Sequence, residues 1–556
     1  MREGASREGE GMLGTMQNWP LLIHKVIDHA AAEHGGREVV TRTVEGPIRS
    51  TTYADIRRRA LRVAKRLEKE GIKPGDRVAT LAWNTSRHLE TWYGITGLGA
   101  IYHTINPRLF AEQIVWIAND AEDRILILDL TFVQLIEALA DQLKTIEKYV
   151  VLTDAAHMPA TKLRGAVDYE SWIAESDEDF RWLTVDENAA AGLCYTSGTT
   201  GHPKGVLYSH RSNVLHAMCA SMPNVLSLGM DETIMPIVPL FHANSWSIAF
   251  SAPMAGAKLV MPGPRLDGAS VYELIEREQV TVTAGVPTVW MMLLQHMEKN
   301  KLRFSSLKRI VVGGSAAPRA MIEAFEGLYN VNFIHAWGMT EMSPLGTVAT
   351  IKPALGGLKG AALFDMKEKQ GWTPFTVEQK IVDDEGVQKP HDGVAFGRLL
   401  VRGVAVAGGY FKGAGADAFD RDGWFDTGDV ATIDEHGFMR ITDRAKDVIK
   451  SGGEWISSID IENMAVAHPD VAEAAVIGVP HPKWDERPLL IVVAKEGRAL
   501  DPKSVLEFVG AKLAKWQRPD ACRVVAEIPH TATGKINKLR LRQDFKDVDV
   551  TSDAAG

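Results

Sequence analysis

The stretch Thr196-Ser197-Gly198-Thr199-Thr200-Gly201-His202-Pro203-Lys204-Gly205 limits what this chain can fold into more than any other segment. It lies between the apolar run Ala189 to Cys194 and Ser209-His210-Arg211-Ser212-Asn213, which reads as a capped helix start. The expected local order is strand, tight loop, helix. Gly198, Gly201 and Gly205 let backbone N–H groups turn inward, Ser197, Thr199 and Thr200 add uncharged donors, and Lys204 adds a point cation. Such a loop is a cradle for a polyphosphate. It is not a Walker A loop, because Pro203 separates Gly201 from Lys204 and the G-x-x-x-x-G-K-[ST] spacing is absent. A flexible linker accounts for the Gly/Ser/Thr composition but not for a Pro-Lys pair between two apolar elements.

A chain of 556 residues exceeds one ordinary core, so two or more domains are expected around this loop. The formal net charge of −9 argues against nucleic acid or an anionic membrane surface as the main partner. Cys194, Cys219 and Cys522 are odd in number, far apart and unmatched to any metal spacing. They read as small core residues in a reducing compartment. The polar N-terminal segment lacks the apolar stretch of a signal peptide, which points to the cytoplasm. Thr233 to Ala257 contains no Asp, Glu, Lys or Arg. Its three prolines, His242, Asn244 and serines suit a buried, irregular pocket wall rather than a membrane span.

In chain order, helical patterns alternate with strands to about residue 190. A capped start at Thr52 with Asp55 opens an amphipathic helix, and strands are expected near 39–42, 77–82, 124–129 and 149–153. This alternation predicts α/β layers. Residues 350–440 switch to short strands with glycine turns, a small β-subdomain, and the last hundred residues form a compact α+β unit.

Several segments carry chemistry. His242 and Trp246 are four apart and would share one face of a helix, although Pro239 leaves the local structure open. A His beside a Trp is otherwise ordinary core. Gly313, Gly314 and Ser315 follow a strand pattern, where open α/β sheets place ligands; tight strand–helix packing explains them equally well in isolation. In Trp337-Gly338-Met339-Thr340-Glu341 the aromatic can stack on a base, the hydroxyl can donate to a phosphate and the carboxylate can hold Mg²⁺. The charged run Asp443 to Lys450 ahead of Gly452-Gly453 suits an exposed joint between domains.

The T-S-G-T-T-G-x-P-K-G signature resembles that of the adenylate-forming superfamily of acyl-CoA synthetases, peptide-synthetase adenylation domains and luciferases. Similarity spans residues 12–545 and is closest to bacterial medium- and long-chain fatty-acyl-CoA synthetases and 3-methylmercaptopropionate-CoA ligases. Pro262 to Asp267, Ser451 to Ser458 and His481 to Pro488 carry it, with Pro239-Leu240-Phe241-His242. The resemblance implies an N-terminal AMP- and acyl-binding domain over 1–443, a hinge over 444–450, a mobile C-terminal lid over 451–546 and a tail over 547–556. It implies ATP, Mg²⁺ and coenzyme A as cofactor and co-substrates, a carboxylic acid as substrate, and a homodimer. Thr196 to Gly201, Lys204, Gly314, Ser315, Trp337 to Thr340, Asp429 and Arg444 would bind the nucleotide, Asp429 through the ribose. Thr196 and Glu341 would hold the metal. His242, Trp246, Gly313 and Gly314 would meet the acyl group. Lys446 would be the pivot, and Lys450, Gly452, Gly453, Glu454 and Trp455 would line the CoA path. Lys535 would be the adenylation lysine. In relatives a Tyr is most often found where Trp337 stands; stacking survives that change while the phenol's hydrogen bond is lost. The rival reading is a serine hydrolase, since Gly313-Gly314-Ser315-Ala316-Ala317 is one substitution from G-x-S-x-G.

Overall fold

The computed structural model describes residues 14–196, 202–451, 454–530, 536–546, 548 and 550. The helix expected after Thr52 runs Tyr53–Lys69, opened by a reciprocal cap in which Asp55 N–H donates to Thr52 Oγ1 and Thr52 N–H donates to Asp55 Oδ2. Among the described residues four sheets form. One has seven strands in the order Val167–Asp168, Lys148–Val151, Ile125–Leu128, Arg77–Leu81, Ile101–Thr104, Ala190–Tyr195 and Gly205–Ser209. A second has eight, in the order Leu345–Val348, Asn332–Gly338, Arg309–Val312, Val282–Gly285, Thr233–Pro236, Lys258–Met261, Glu38–Arg42 and Ile48–Thr52.

These strands are short apolar runs because both faces of each sheet are covered. Val311 packs into the core between the sheets, while its neighbours Ile310 and Val312 pack into the core outside. Ile125 and Leu126 divide in the same way in the other sheet. Helices Ile23–Glu33, Tyr53–Lys69, Ser86–Gly97, His210–Ser221 and Ile248–Ala255 fill the space between the two sheets and share one core with both. The three cysteines are free and buried, as expected of core residues.

The strands Val377–Val382, Phe396–Gly403, Phe425–Ile433 and Met439–Arg444 make an antiparallel sheet, the expected β-subdomain. The chain then enters a smaller C-terminal α+β unit whose sheet buries Val476 and Leu490 on one face and Ile477 and Leu489 on the other. Among the described residues no helix is long and apolar enough to cross a membrane.

Two local expectations are corrected. The phosphate-cradle segment is flanked by a second strand, Gly205–Ser209, paired antiparallel with Ala190–Tyr195, before the helix His210–Ser221 begins at its Ser209 cap. Val206, Leu207 and Tyr208 are strand formers, and the sheet edge offers them a partner. The second correction concerns Ala243 to Ser247, which turn left-handed, with φ between 44° and 67° at all five residues. His242 and Trp246 therefore do not share a right-handed helical face.

Burial brings the imidazoles of His24, His88, His210, His216 and His335 down to about 4. In the unfolded chain each titrates near 6.5. Between those values the unfolded chain binds protons that the folded chain does not, so their contribution is complete above pH 6.5 and is lost as pH falls toward 4. Asp129, pushed up to about 7 by burial, acts in the opposite sense, as do Glu90, Asp123, Glu368, Asp443 and Glu462, also raised by burial. Carboxylates held below their usual range by hydrogen bonds and ion pairs, such as Glu232 and Asp434, act with the histidines. The urea-denaturation midpoint is therefore expected to fall steadily from pH 6.5 to 4.5, each histidine contributing at most roughly 1.4 kcal/mol per pH unit. A midpoint that stays flat over that range contradicts the burial of neutral imidazoles.

Candidate active site

A cavity of about 670 Å³ lies at the carboxyl ends of the strands Ala190–Tyr195, Arg309–Val312 and Asn332–Gly338, where an open α/β sheet places its ligands. Thr196, Lys204, His242, Trp246, Gly313, Gly314, Trp337, Gly338, Met339, Thr340, Glu341, Arg444 and Lys446, all singled out from the sequence, line it. Ser197 to Gly201, Gly452, Gly453 and Lys535, with the side chains of Glu454 and Trp455, lie outside the described residues.

At one end the chain leaves the strand Asn332–Gly338 and doubles back so closely that a Cβ at Gly338 would sit 2.0 Å from the Pro344 carbonyl oxygen. Only glycine fits there. This turn presents the Trp337 ring to the cavity and fixes Thr340 and Glu341 beside it. The Trp337 indole N–H donates to Asp429 Oδ2 at 3.1 Å, and Arg444 Nε pairs with Asp429 Oδ1 at 2.9 Å. The indole N–H is thus itself a hydrogen-bond donor at this position. Asp429 itself is buried behind Trp337 and Arg444 and is not part of the cavity wall.

Glu341 is buried, and its Oε1 accepts the Tyr410 hydroxyl at 2.7 Å. Burial and the Glu341 charge together push the Tyr410 phenol well above its usual range, so it remains a donor. The Thr340 carbonyl accepts the Tyr208 hydroxyl at 2.7 Å. The two described ends of the cradle are pinned to each other: Thr196 N–H donates to the Lys204 carbonyl at 2.9 Å, and Lys204 N–H donates to Thr196 Oγ1 at 3.3 Å. The Lys204 ammonium lies 4.9 Å from the Tyr410 ring centroid. A cation, hydroxyls, a carboxylate and an aromatic face are thereby gathered at one end.

The other end is apolar. Ala220, Val225, Leu226, Val311, Ala336 and Val348 line it, with His242 and Trp246 supplied by the left-handed turn. A Cβ at Gly313 would lie 3.1 Å from the Trp246 ring, so the missing side chain makes room for the indole. Ile536, Asn537, Lys538, Leu539 and Arg542 of the C-terminal unit complete the wall.

Some expected residues are elsewhere. Ser315 is exposed and outside the cavity wall, and Lys450 is exposed on the strand Ile449–Ser451. The hydrolase reading needs an imidazole on the Ser315 hydroxyl. Exposed and outside the cavity wall, Ser315 is not placed to act as a nucleophile on a molecule held there. Sequence reasoning missed Tyr410, Tyr208 and Gln113, which come from distant segments without a local motif. It also missed Asn537 to Arg542, although the helix signal after Lys535 was legible.

Replacing Trp337 by Phe keeps a ring and deletes the N–H that orders Asp429 and Arg444. Loss of one buried hydrogen bond predicts a variant less stable by about 0.5–1.5 kcal/mol in urea denaturation. Unchanged stability contradicts the bond.

This chain is similar to known proteins over most of its length. Residues 27–411 match the family described as AMP-binding enzyme, and residues 460–535 match its C-terminal domain. The chain is 49% identical over 536 residues to a 3-methylmercaptopropionyl-CoA ligase of Ruegeria lacuscaerulensis, covering 96% of this chain and 99% of the relative. It is 48% identical over 537 residues to a medium-chain-fatty-acid–CoA ligase of Ectopseudomonas oleovorans, covering 97% and 98%. The crystal structure of the anthranilate CoA ligase AuaEII with anthranoyl-AMP superposes with a TM-score of 0.84 at 26% identity, covering 97% of this chain and 100% of that one. The chain belongs to the AMP-binding enzyme family.

Proposed function

We propose that this cavity activates a carboxylic acid with ATP and then transfers the acyl group to coenzyme A. The single observation that carries the reading is the layout of the cavity. Polar, cationic and aromatic groups at one end meet an apolar chamber at the other, and residues of the C-terminal unit complete the wall. In the first step a carboxylate oxygen attacks the α-phosphorus of ATP, the bond to the β-phosphate oxygen breaks and pyrophosphate leaves. In the second the CoA sulfur attacks the acyl carbon, the bond to the phosphate oxygen breaks, AMP leaves and the thiol proton goes to solvent.

Both reactants of the first step are anions, so positive charge and donors aimed at the reacting phosphate lower the barrier, typically by about 3–4 kcal/mol per well-placed group. Lys535 is assigned that task, Lys204 and Thr196 to Gly201 the β- and γ-phosphates, Thr340 the α-phosphate, and Trp337 the base. Asp429, through its bond to the indole and its pair with Arg444, sets the ribose side of the site. His242 stands at the acid carboxylate.

The Glu341 carboxylate and Thr196 hydroxyl line the same wall as hard oxygen donors, a set that fits Mg²⁺. Bound there with the nucleotide, the ion would offset phosphate charge. Tyr410 holds one Glu341 oxygen and so orients the other.

The second step needs a different access. Rotation of residues 451–546 about Lys446, against a body formed by 1–443, would withdraw Lys535 and bring Lys450, Gly452, Gly453, Glu454 and Trp455 to the CoA path. The acid is assigned to the short- and medium-chain or methylthio class, with long-chain acids as the alternative. The small apolar lining and the two relatives near half identity support this. The resemblance supports a homodimer, and the buried free cysteines support a cytoplasmic setting.

AMP release measured over acids from propionate to palmitate, with 3-methylmercaptopropionate included, is expected to depend on acid, ATP and CoA together. ATP turnover indifferent to every acid overturns the reading. Lys535→Ala is expected to lower acid-dependent pyrophosphate exchange by roughly 10²- to 10³-fold while supplied acyl-AMP is still converted to thioester. Equal loss of both half-reactions contradicts the assignment of Lys535.

A further inference from the structure

Five consecutive residues without a glycine, Ala243 to Ser247, hold left-handed backbone angles between His242 and the helix Ile248–Ala255. Each such residue costs roughly 1–2 kcal/mol against its ordinary conformation, so the surrounding structure must impose the turn. The restraint is visible at Asn244, at φ 56° and ψ 29° and only 1% exposed. Its Oδ1 accepts the Tyr102 hydroxyl at 2.6 Å and its Nδ2 donates to Asn213 Oδ1 at 2.9 Å. Ser245 Oγ donates to the Val238 carbonyl at 2.8 Å. Tyr102 is itself fixed, stacked on Trp92 with centroids 4.3 Å apart. Its ring occupies the space left by Gly192, where a Cβ would come within 2.3 Å of it.

Asn244 is not part of the cavity wall, yet the residues on either side of it, Ala243, His242 and Trp246, are. We propose that Asn244 is a positioning and specificity-determining residue. Locked between Tyr102 and Asn213, it holds the left-handed turn that sets His242 and Trp246 against the acyl end of the cavity, and so decides which acids are accepted. Asparagine suits the position twice: it tolerates left-handed angles better than other side-chain-bearing residues, and its amide donates and accepts at once. The proposal rests on the acid-activating reading of the cavity given above.

The test compares Asn244→Gly, which keeps the backbone at ease and removes the amide, with Tyr102→Phe, which removes one hydroxyl and leaves the stacked ring. Wild-type AMP release over the acid panel is measured alongside; its absence would sink the acid-activating reading itself, whatever the variants do. Given wild-type activity, each variant is expected to raise the KM for the preferred acid about tenfold and to flatten the ranking of acids, with the KM for ATP within about twofold of wild type. Asn244→Ala, unable to relax the backbone, is expected to be worse than Asn244→Gly. An unchanged ranking in folded Tyr102→Phe, or equal rises in KM for acid and ATP in both variants, overturns the proposal. Tyr102→Phe changes no packing volume inward of the ring, so it keeps the test open if Asn244→Gly does not fold.

Discussion

The site exists as one cavity because the C-terminal unit docks against the last strand of the β-subdomain, and that joint is polar. Ser458 N–H, at the start of the helix Ser458–Val466, donates to Asp443 Oδ2 at 2.7 Å. Arg440 pairs with Asp460 at 2.7 Å. Within the C-terminal unit Lys538 pairs with Glu462 at 2.7 Å, and across the joint the charge of Asp443 also favours its ammonium form. The Arg440–Asp460 pair is half exposed and contributes about 0–1 kcal/mol. The buried group is stronger by geometry: removing Lys538 would leave buried carboxylates without compensation, commonly a loss of about 3–5 kcal/mol. A joint built from such groups can open without exposing a large apolar face, since each partner can hydrate separately. It is a fit attachment for a unit proposed to rotate between two reactions.

The polar end of the cavity depends on a second polar chain, which ties the eight-stranded sheet to the β-subdomain. Trp337 belongs to the eight-stranded sheet, Asp429 to the β-subdomain, and Arg444 to the final residue of its last strand. The indole, carboxylate and guanidinium therefore link the cavity wall to the end of the strand from which the chain runs on to the C-terminal unit. Arg542 pairs with Asp447 at 2.8 Å three residues further on, so the charged run between the sheets is held by both bodies. Burial and the flanking Arg444 and Arg542 lower the ammonium pKa of Lys446 within that run. Positive charge is thus concentrated beside the place proposed for two anions to meet.

Much of this was legible in the sequence, and the reasons differ by element. The α/β layers followed from short apolar runs, because a strand buried on both faces must be apolar throughout, as Ile125 to Leu128 are. The Thr52 and Ser209 caps were readable because a cap is a local hydrogen-bond arrangement. The second strand of the cradle hairpin was not, since Gly205 to Ser209 become a strand only by pairing with a sheet edge assembled elsewhere. The left-handed turn was also hidden. Nothing in Ala243 to Ser247 favours it locally, and it is imposed by Tyr102 and Asn213, more than 140 and about 30 residues away. Tyr410 and the indole–Asp429 bond were missed for the same reason: long-range partners leave no periodicity. Motifs singled out Thr340 and Glu341, which line the cavity, while their anchoring by Tyr208 and Tyr410 required the fold.

The central claim is that the docked arrangement serves acid activation and that the joint must open for thioester formation. Joining Arg440→Cys to Asp460→Cys with a short bis-maleimide holds the strand Met439–Arg444 to the helix Ser458–Val466. The measurement is a single-turnover experiment on the linked enzyme with ATP and acid, followed by CoA. The account predicts that acyl-AMP and pyrophosphate form at close to the unlinked rate and that acyl-CoA formation falls by at least a hundredfold. Acyl-CoA appearing from the linked enzyme at the unlinked rate would contradict it.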